Sequence, residues 1–301
     1  SEDESKHHLF YTKRTAAKLA YNMKTLSQVY QLLLENKHST LRELYYDEKQ
    51  LYRRQDVLNR SMTAVCELLD VAREQVNVIS CSKGLLGGSL CFISHSSSTA
   101  PIDCSASIVL ITEQLLTLQP LSSATYILVV EKDATFQKLI DDGFFTLYPN
   151  SILCTGKGYP DLCTRRVLNW LSTRLNIPVF GLFDADPHGL EIFLTYKYGS
   201  SKERSEGRGA TVPRIQWLGL RPSDELSLPI ADDQMLQLNH ADFTKAVRVR
   251  RRAEGLHESE VVREIDYLRS RRAKMELEAV SSAGAGFLPR LYLAPRLRYL
   301  L

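Results

Sequence analysis

Apolar positions change their period along the chain. From about residue 15 to residue 35 they fall at Ala16, Leu19, Ala20, Met23, Leu26, Val29, Tyr30 and Leu33. Spacings of three and four predict an amphipathic helix there, ended by Asn36-Lys37-His38. Thr40-Leu41-Arg42-Glu43 reads as a capping box that opens a short second helix running into Tyr45-Tyr46. A third helix is expected over about 56–71, with Leu58, Met62, Val65, Cys66, Leu68 and Leu69 on its buried side. Residues 76–80 and 90–94 read as strands, with the turn-rich segment 82–88 between them. Ser-rich 95–100 reads as a surface loop or domain boundary. Beyond it, apolar runs at 126–130, 151–155 and 178–184 alternate with helical patterns over about 133–142 and 161–175. Another helix starts near Gly189. That alternation predicts a parallel sheet built from βαβ units. The rest reads as helical and basic, 287–301 is apolar with interspersed Arg, and no internal repeat is visible.

Three helices followed by a β-hairpin are the pattern of a winged helix-turn-helix, whose third helix enters the DNA major groove. A small helical bundle with a hairpin and no DNA role fits the same pattern. The fold class expected is therefore mixed α/β, a helical N-terminal domain followed by a parallel-sheet domain.

Carboxylates collect just past the strand ends. Glu131 follows Tyr126-Ile127-Leu128-Val129-Val130, and Asp184-Ala185-Asp186 follows Val179-Phe180-Gly181-Leu182-Phe183. The carboxyl edge of an open parallel sheet is where ligands bind. Asp184 and Asp186, two apart, share a face if the strand persists. Several oxygen ligands with room for water and phosphate suit a hard cation, Mg²⁺ foremost. A D-x-D pair alone is weak, and the alternative is that these acids cap helix N-termini. At the same edge, Gly156-Lys157-Gly158-Tyr159-Pro160-Asp161 links a strand to a helix. Small glycines and Lys157 can approach a phosphate. The loop lacks Walker A spacing, and a tight strand-to-helix turn explains it equally well.

Composition narrows the class. The chain has 301 residues, enough for two domains or one large one, and 44% are hydrophobic, as in an ordinary globular protein. No apolar stretch reaches the roughly 20 residues of a membrane helix, so no membrane partner is expected. The first eight residues are too polar for a signal peptide, and the missing initial Met fits a removed leader or tail. Net charge is only +3, so bulk charge does not demand nucleic acid. Basic runs at 245–252 and 269–272 can bind phosphate or form solvated helix faces. Cysteines at 66, 81, 91, 104, 154 and 163 form no C-x-x-C pair, which argues against zinc and for a reducing, intracellular compartment.

Tyr45-Tyr46 reads most simply as half-buried packing. The sharper reading is a nucleophile. A free phenol titrates near a pH of about 10 and needs help at neutral pH. Arg42, three or four residues back on the same helix face, can stabilise a phenolate or hold a phosphate.

Six motifs occur together and in order: Thr40-Leu41-Arg42-Glu43-Leu44-Tyr45-Tyr46, Ser82-Lys83-Gly84-Leu85, Val130-Glu131-Lys132-Asp133-Ala134-Thr135-Phe136, Thr155-Gly156-Lys157-Gly158-Tyr159-Pro160-Asp161, Asp184-Ala185-Asp186-Pro187-His188-Gly189 and Trp217-Leu218-Gly219-Leu220. With them the chain, from about residue 10 onward, closely resembles the eukaryotic meiotic DNA double-strand-break proteins, relatives of the A subunit of topoisomerase VI. The Asp-Ala-Asp-Pro-His-Gly form is more like the meiotic members than the archaeal subunits. The resemblance implies a winged-helix (CAP-like) domain over 1–104, carrying the nucleophile, and a Toprim α/β domain with a helical extension over 105–301. It implies a type IIB topoisomerase-like enzyme acting on double-stranded DNA in the nucleus. Tyr46 would be the nucleophile, Arg42 its assistant, and Glu131, Asp184 and Asp186 the Mg²⁺ ligands, with Lys83 and Lys157 as DNA contacts. It further implies a homodimer with composite active sites, meiotic accessory proteins and a topoisomerase VI B-like subunit. Glu43 stands where members often have Asp, a conservative departure, and Tyr45 keeps the nucleophile open by one residue.

The chain shows no Walker A loop, in keeping with tyrosine exchange that needs no ATP for cleavage. Three alternatives remain: a DNA-binding scaffold that has kept the fold without the chemistry, the cleaving chain of a topoisomerase VI serving somatic DNA topology, and a phosphatase or nuclease using water. The intact tyrosine and three acids argue against the first, and nothing beyond D-x-D supports the last.

Overall fold

The structure, a computed structural model, describes residues 13–71, 73–79, 82–94, 100–200, 211–230, 234–284 and 286–300. The loop expected over 95–100 lies, save for Ala100, outside the described residues, as do Ser80 and Cys81. The chain forms two compact units that divide between Cys81 and Ser82, so the division falls well before the expected boundary at 104.

In the first unit, helices Lys13–Leu34 and Gln55–Leu69 pack on each other, with the short helices Leu41–Asp47 and Lys49–Tyr52 between them in sequence. Their core is Val29, Leu44, Tyr52, Leu58, Met62 and Cys66. The first helix does not bury the face that its apolar positions predict. Leu19, Met23, Tyr30 and Leu33 are exposed, while Thr25 is fully buried. Thr25 is satisfied there by the Tyr52 hydroxyl at 2.9 Å and the Ser61 hydroxyl at 2.7 Å, as a buried polar group must be. Leu68 and Leu69, expected inside, are exposed. The expected hairpin is absent among the described residues. Instead β1 (Ser39–Thr40) pairs in parallel with β2 (Val78–Ile79).

The second unit holds β3 (Leu85–Gly88), β4 (Cys91–Ile93), β5 (Ile102–Asp103), β6 (Val109–Leu110), β7 (Gln119–Leu121), β8 (Tyr126–Val130), β9 (Ser151–Thr155), β10 (Val179–Leu182), β11 (Ile215–Gly219), β12 (Leu236–Gln237) and β13 (Ala273–Lys274). Six of them form one sheet in the order β11-β10-β8-β9-β3-β6. The four strands from β11 to β9 run parallel, and β3 and β6 extend the sheet antiparallel. The segment expected as a turn is thus partly strand. Gly88 is needed both for its φ of +110° and for close approach, because a Cβ there would collide with the Ser151 carbonyl of β9.

Both faces of this sheet are covered, which is why its strands read as unbroken apolar runs. Ile127, Val129, Ile152 and Cys154 face one core, shared with helices Leu162–Leu175, Pro187–Tyr198, His240–Gly255 and Ser259–Arg271. Leu128, Val130, Leu153 and Phe180 face the other, shared with Asp133–Asp141, Leu277–Ser282 and the C-terminal helical turns. Several residues of the basic runs are held in ion pairs. Lys245 pairs with Glu191, Arg250 with Asp266 at 2.8 Å, and Arg271 with Glu225 at 2.6 Å. Cys66, Cys104, Cys154 and Cys163 are buried thiols. No helix among the described residues is long and apolar enough to cross a membrane.

Candidate active site

Register brings the acids of the second unit to one edge. Val130, Thr155 and Leu182 end neighbouring strands in line, and Leu182 pairs with Gly219. Glu131 comes next after β8. Its N–H donates to the Leu182 carbonyl at 3.0 Å, and its own carbonyl accepts from Gly158 N at 2.8 Å. Asp184 lies two residues past β10 and donates its backbone N–H to Glu131 Oε2 at 2.8 Å. Asp186 is the N-cap of helix Pro187–Tyr198, with Oδ1 accepting from Gly189 N at 2.6 Å. Glycine is required at 189 because a Cβ there would strike the Asp184 carbonyl. All three acids are buried, at 6%, 2% and 8% exposure.

Close packing of buried carboxylates perturbs them. Burial first, and the charge of Asp184 second, push the Glu131 carboxyl well above its usual range. Burial likewise raises Asp184, against the pull of Lys132. Lys132 Nζ sits 2.8 Å from Asp184 Oδ2, 3.1 Å from Glu276 Oε2 and 3.0 Å from Glu278 Oε2. Burial works to lower the Lys132 ammonium, but these carboxylates outweigh it and raise it.

Glu276 and Glu278 were not legible in the sequence. They arrive because Ala185 and Met275 form a backbone bridge, with N–H to carbonyl distances of 2.9 and 3.2 Å. Leu277 N then donates to Asp184 Oδ1 at 2.8 Å. Asp184, Glu276 and Glu278 each offer an oxygen within 4.8 Å of the others. Asp184 is buried while Glu276 and Glu278 are partly exposed, and three hard oxygen donors around the single charge of Lys132 fit a divalent cation. Of the three acids expected as ligands, only Asp184 belongs to this closest group. Asp186 also performs the helix-capping role that was the competing explanation.

The two expected DNA-contacting lysines meet beside this edge. Lys83 Nζ donates to the Lys157 carbonyl at 3.1 Å, and its backbone N–H to Asp161 Oδ2 at 3.1 Å. Lys157, at φ +52°, pairs with Asp133 at 3.0 Å. Asp161 caps helix Leu162–Leu175 through Thr164 N at 2.7 Å. The Tyr159 hydroxyl bonds Glu191, which Lys245 also holds.

In the first unit the capping box is formed. Glu43 N donates to Thr40 Oγ1 at 3.2 Å, and Thr40 N to Glu43 Oε2 at 2.7 Å. The helix it starts, Leu41–Asp47, separates the two tyrosines. Tyr45 packs partly on the core and donates its hydroxyl to the Arg53 carbonyl at 3.0 Å. Tyr46 is 54% exposed, with the Arg42 guanidinium 5.8 Å over its ring centroid.

The family model for the Toprim domain of Spo11 and the topoisomerase 6 A-subunit matches residues 126–297, and the model “Type IIB DNA topoisomerase” matches residues 17–78. The chain is 46% identical over 288 residues to “Meiotic recombination protein spo-11” of Caenorhabditis elegans, covering 96% of this chain and 67% of that protein. It is 35% identical to “Meiotic recombination protein SPO11” of Homo sapiens over 287 residues, 95% of this chain and 72% of the relative. It is 31% identical to the DNA topoisomerase 6 A-subunit of Arabidopsis thaliana over 303 residues, 99% and 70% of the two.

Proposed function

This chain belongs to the family of Spo11 and the topoisomerase 6 A-subunit, and we propose that it makes the DNA double-strand breaks of meiotic recombination by tyrosine transesterification. The greater identity to the meiotic proteins than to the topoisomerase chain supports the meiotic role. It acts on nuclear chromosomes, as a homodimer, with meiotic accessory proteins and a topoisomerase VI B-like subunit. The helices of the first unit serve as a helix-turn-helix module that presents the nucleophile to duplex DNA.

Tyr46 attacks a backbone phosphorus, and the bond from phosphorus to the 3′ oxygen breaks. The phenolic proton is lost and the leaving oxygen gains one, giving a 5′-phosphotyrosyl link and a free 3′-hydroxyl. One phosphodiester replaces another, so cleavage needs no ATP. Arg42, over the Tyr46 ring, holds the phosphate or steadies the phenolate. Glu131, Asp184 and Asp186 would hold Mg²⁺, which when bound would supply electrostatic stabilisation of charge on phosphate oxygens. Lys83 and Lys157 bind the DNA backbone, each ammonium having three donors of which one contact accounts for one.

The contrast within the tyrosine pair carries the residue assignment. The Tyr45 hydroxyl is committed to a carbonyl, whereas Tyr46 is exposed beside a guanidinium. Covalent protein–DNA adducts resolved under denaturing conditions test it. Tyr46→Phe abolishes the adduct and Tyr45→Phe keeps it. The reverse pattern moves the nucleophile by one residue, and adducts from both variants defeat the tyrosine mechanism.

A further inference from the structure

We propose that Lys132 is a resident cation on the metal centre, which a divalent ion must displace from Asp184, and that it thereby sets the affinity of the centre for metal. The inference rests on the reading of this edge as a metal site.

Each of the three expected ligands has one oxygen fixed by a backbone N–H. Asp184 N holds Glu131 Oε2, Leu277 N holds Asp184 Oδ1, and Gly189 N holds Asp186 Oδ1. Such donors orient a carboxylate and leave it a second oxygen for a cation. At Asp184 that second oxygen, Oδ2, already carries the Lys132 ammonium at 2.8 Å. A divalent ion on Oδ2 must meet or expel a like charge, and in a buried site that repulsion is weakly screened.

Lys132 is built to let go without leaving. Its backbone is the N-cap of helix Asp133–Asp141, and its carbonyl accepts from Phe136 N at 3.0 Å. Its side chain is 30% exposed, and its other two partners, Glu276 and Glu278, are 37% and 46% exposed. Released from Asp184, the ammonium keeps two carboxylates nearer to solvent. Without metal, it neutralises an acid that burial would otherwise leave unpaired, a costly state.

The same geometry admits a contrary role, in which Lys132 holds Asp184 in its ligating pose and its loss weakens metal binding. Lys132→Met, of similar length and uncharged, separates the two. The whole chain is titrated with Mg²⁺ by calorimetry, and thermal unfolding is followed with and without Mg²⁺. The expected result is affinity about tenfold higher than wild type, a lower metal-free melting temperature, and a larger rise on adding Mg²⁺. Lys132→Gln, which keeps a donor without the charge, gives the same direction if the Met variant fails to fold. Equal or weaker affinity in a folded variant, or the same loss of stability with and without Mg²⁺, overturns the proposal. Asp184→Asn is the control for the underlying reading. If wild type binds Mg²⁺ and Asp184→Asn does not, the centre stands whatever Lys132 does. If neither wild type nor the Lys132 variants bind Mg²⁺, the metal reading falls and takes this inference with it.

Discussion

Glu131 illustrates how a functional site strains a single residue. Its carboxyl is buried against Asp184, and Asp184 pairs directly with Lys132 while Glu131 accepts from a backbone N–H and feels Lys132 at longer range. Of the two, Glu131 is therefore the acid that keeps its proton longer. A carboxyl raised above its unfolded value of 4.5 contributes stability that is fully present below that pH. The contribution is lost as pH rises through the higher folded value. The metal-free chain should accordingly melt at progressively lower temperature as pH rises from 4.5 through neutrality. Glu131→Gln, which preserves the acceptor for Asp184 N, should flatten that decline. Mg²⁺ should reverse it in wild type at the upper end of the range, where the carboxylates are charged. A decline of equal slope in Glu131→Gln would assign the effect to other groups. The sequence made Glu131 visible because it ends an apolar strand. It could not show Glu276 or Glu278, which reach the site only through the Ala185–Met275 bridge, between residues far apart in the chain.

Among the elements, the short helix Leu41–Asp47 depends most on its cap. It is too brief to stand by propensity alone, and one buried side chain, Leu44, anchors it. The reciprocal bonds of Thr40 and Glu43 fix its start and so the direction in which Arg42 and Tyr46 project. Thr40→Ala should cost about 1 kcal/mol in chemical denaturation and reduce adduct yield while leaving Mg²⁺ affinity unchanged. An unaltered adduct yield would detach the cap from the chemistry. This cap was legible in the sequence, and so were β8, β9 and β10, because both signals are local. The face of helix Lys13–Leu34 was not. Its apolar positions predicted one stripe, but the hydrogen bonds of Thr25 with Tyr52 and Ser61 let a polar residue turn inward. The strands expected at 76–80 and 90–94 do not pair with each other among the described residues, for a related reason. Gly87 and Gly88 look like turn residues locally, yet a Cβ on Gly88 would strike β9 and one on Gly87 would strike the Ile108 side chain.

At the scale of the whole molecule, the candidate nucleophile and the candidate metal ligands belong to different compact units, Tyr46 in the first and Glu131, Asp184 and Asp186 in the second. That separation gives the proposed homodimer a sharp test. In a composite site, one protomer's Tyr46 works with its partner's acids. A mixed dimer can be made from a Tyr46→Phe protomer and a protomer bearing Asp184→Asn and Asp186→Asn. If sites are composite, the second protomer's tyrosine meets the first protomer's intact acids, and one of the two sites is whole. The other combines both defects and is dead. The mixed dimer should therefore nick one strand and attach covalently through the acid-deficient protomer alone, while neither homodimer forms adducts. If each protomer uses its own acids, both sites of the mixed dimer lack a component and no adduct appears. Differently tagged protomers and a denaturing gel distinguish the outcomes, because the tag on the DNA-linked chain reports which protomer supplied the tyrosine. A double-strand break requires both sites, so the same mixed dimer should yield nicks without breaks.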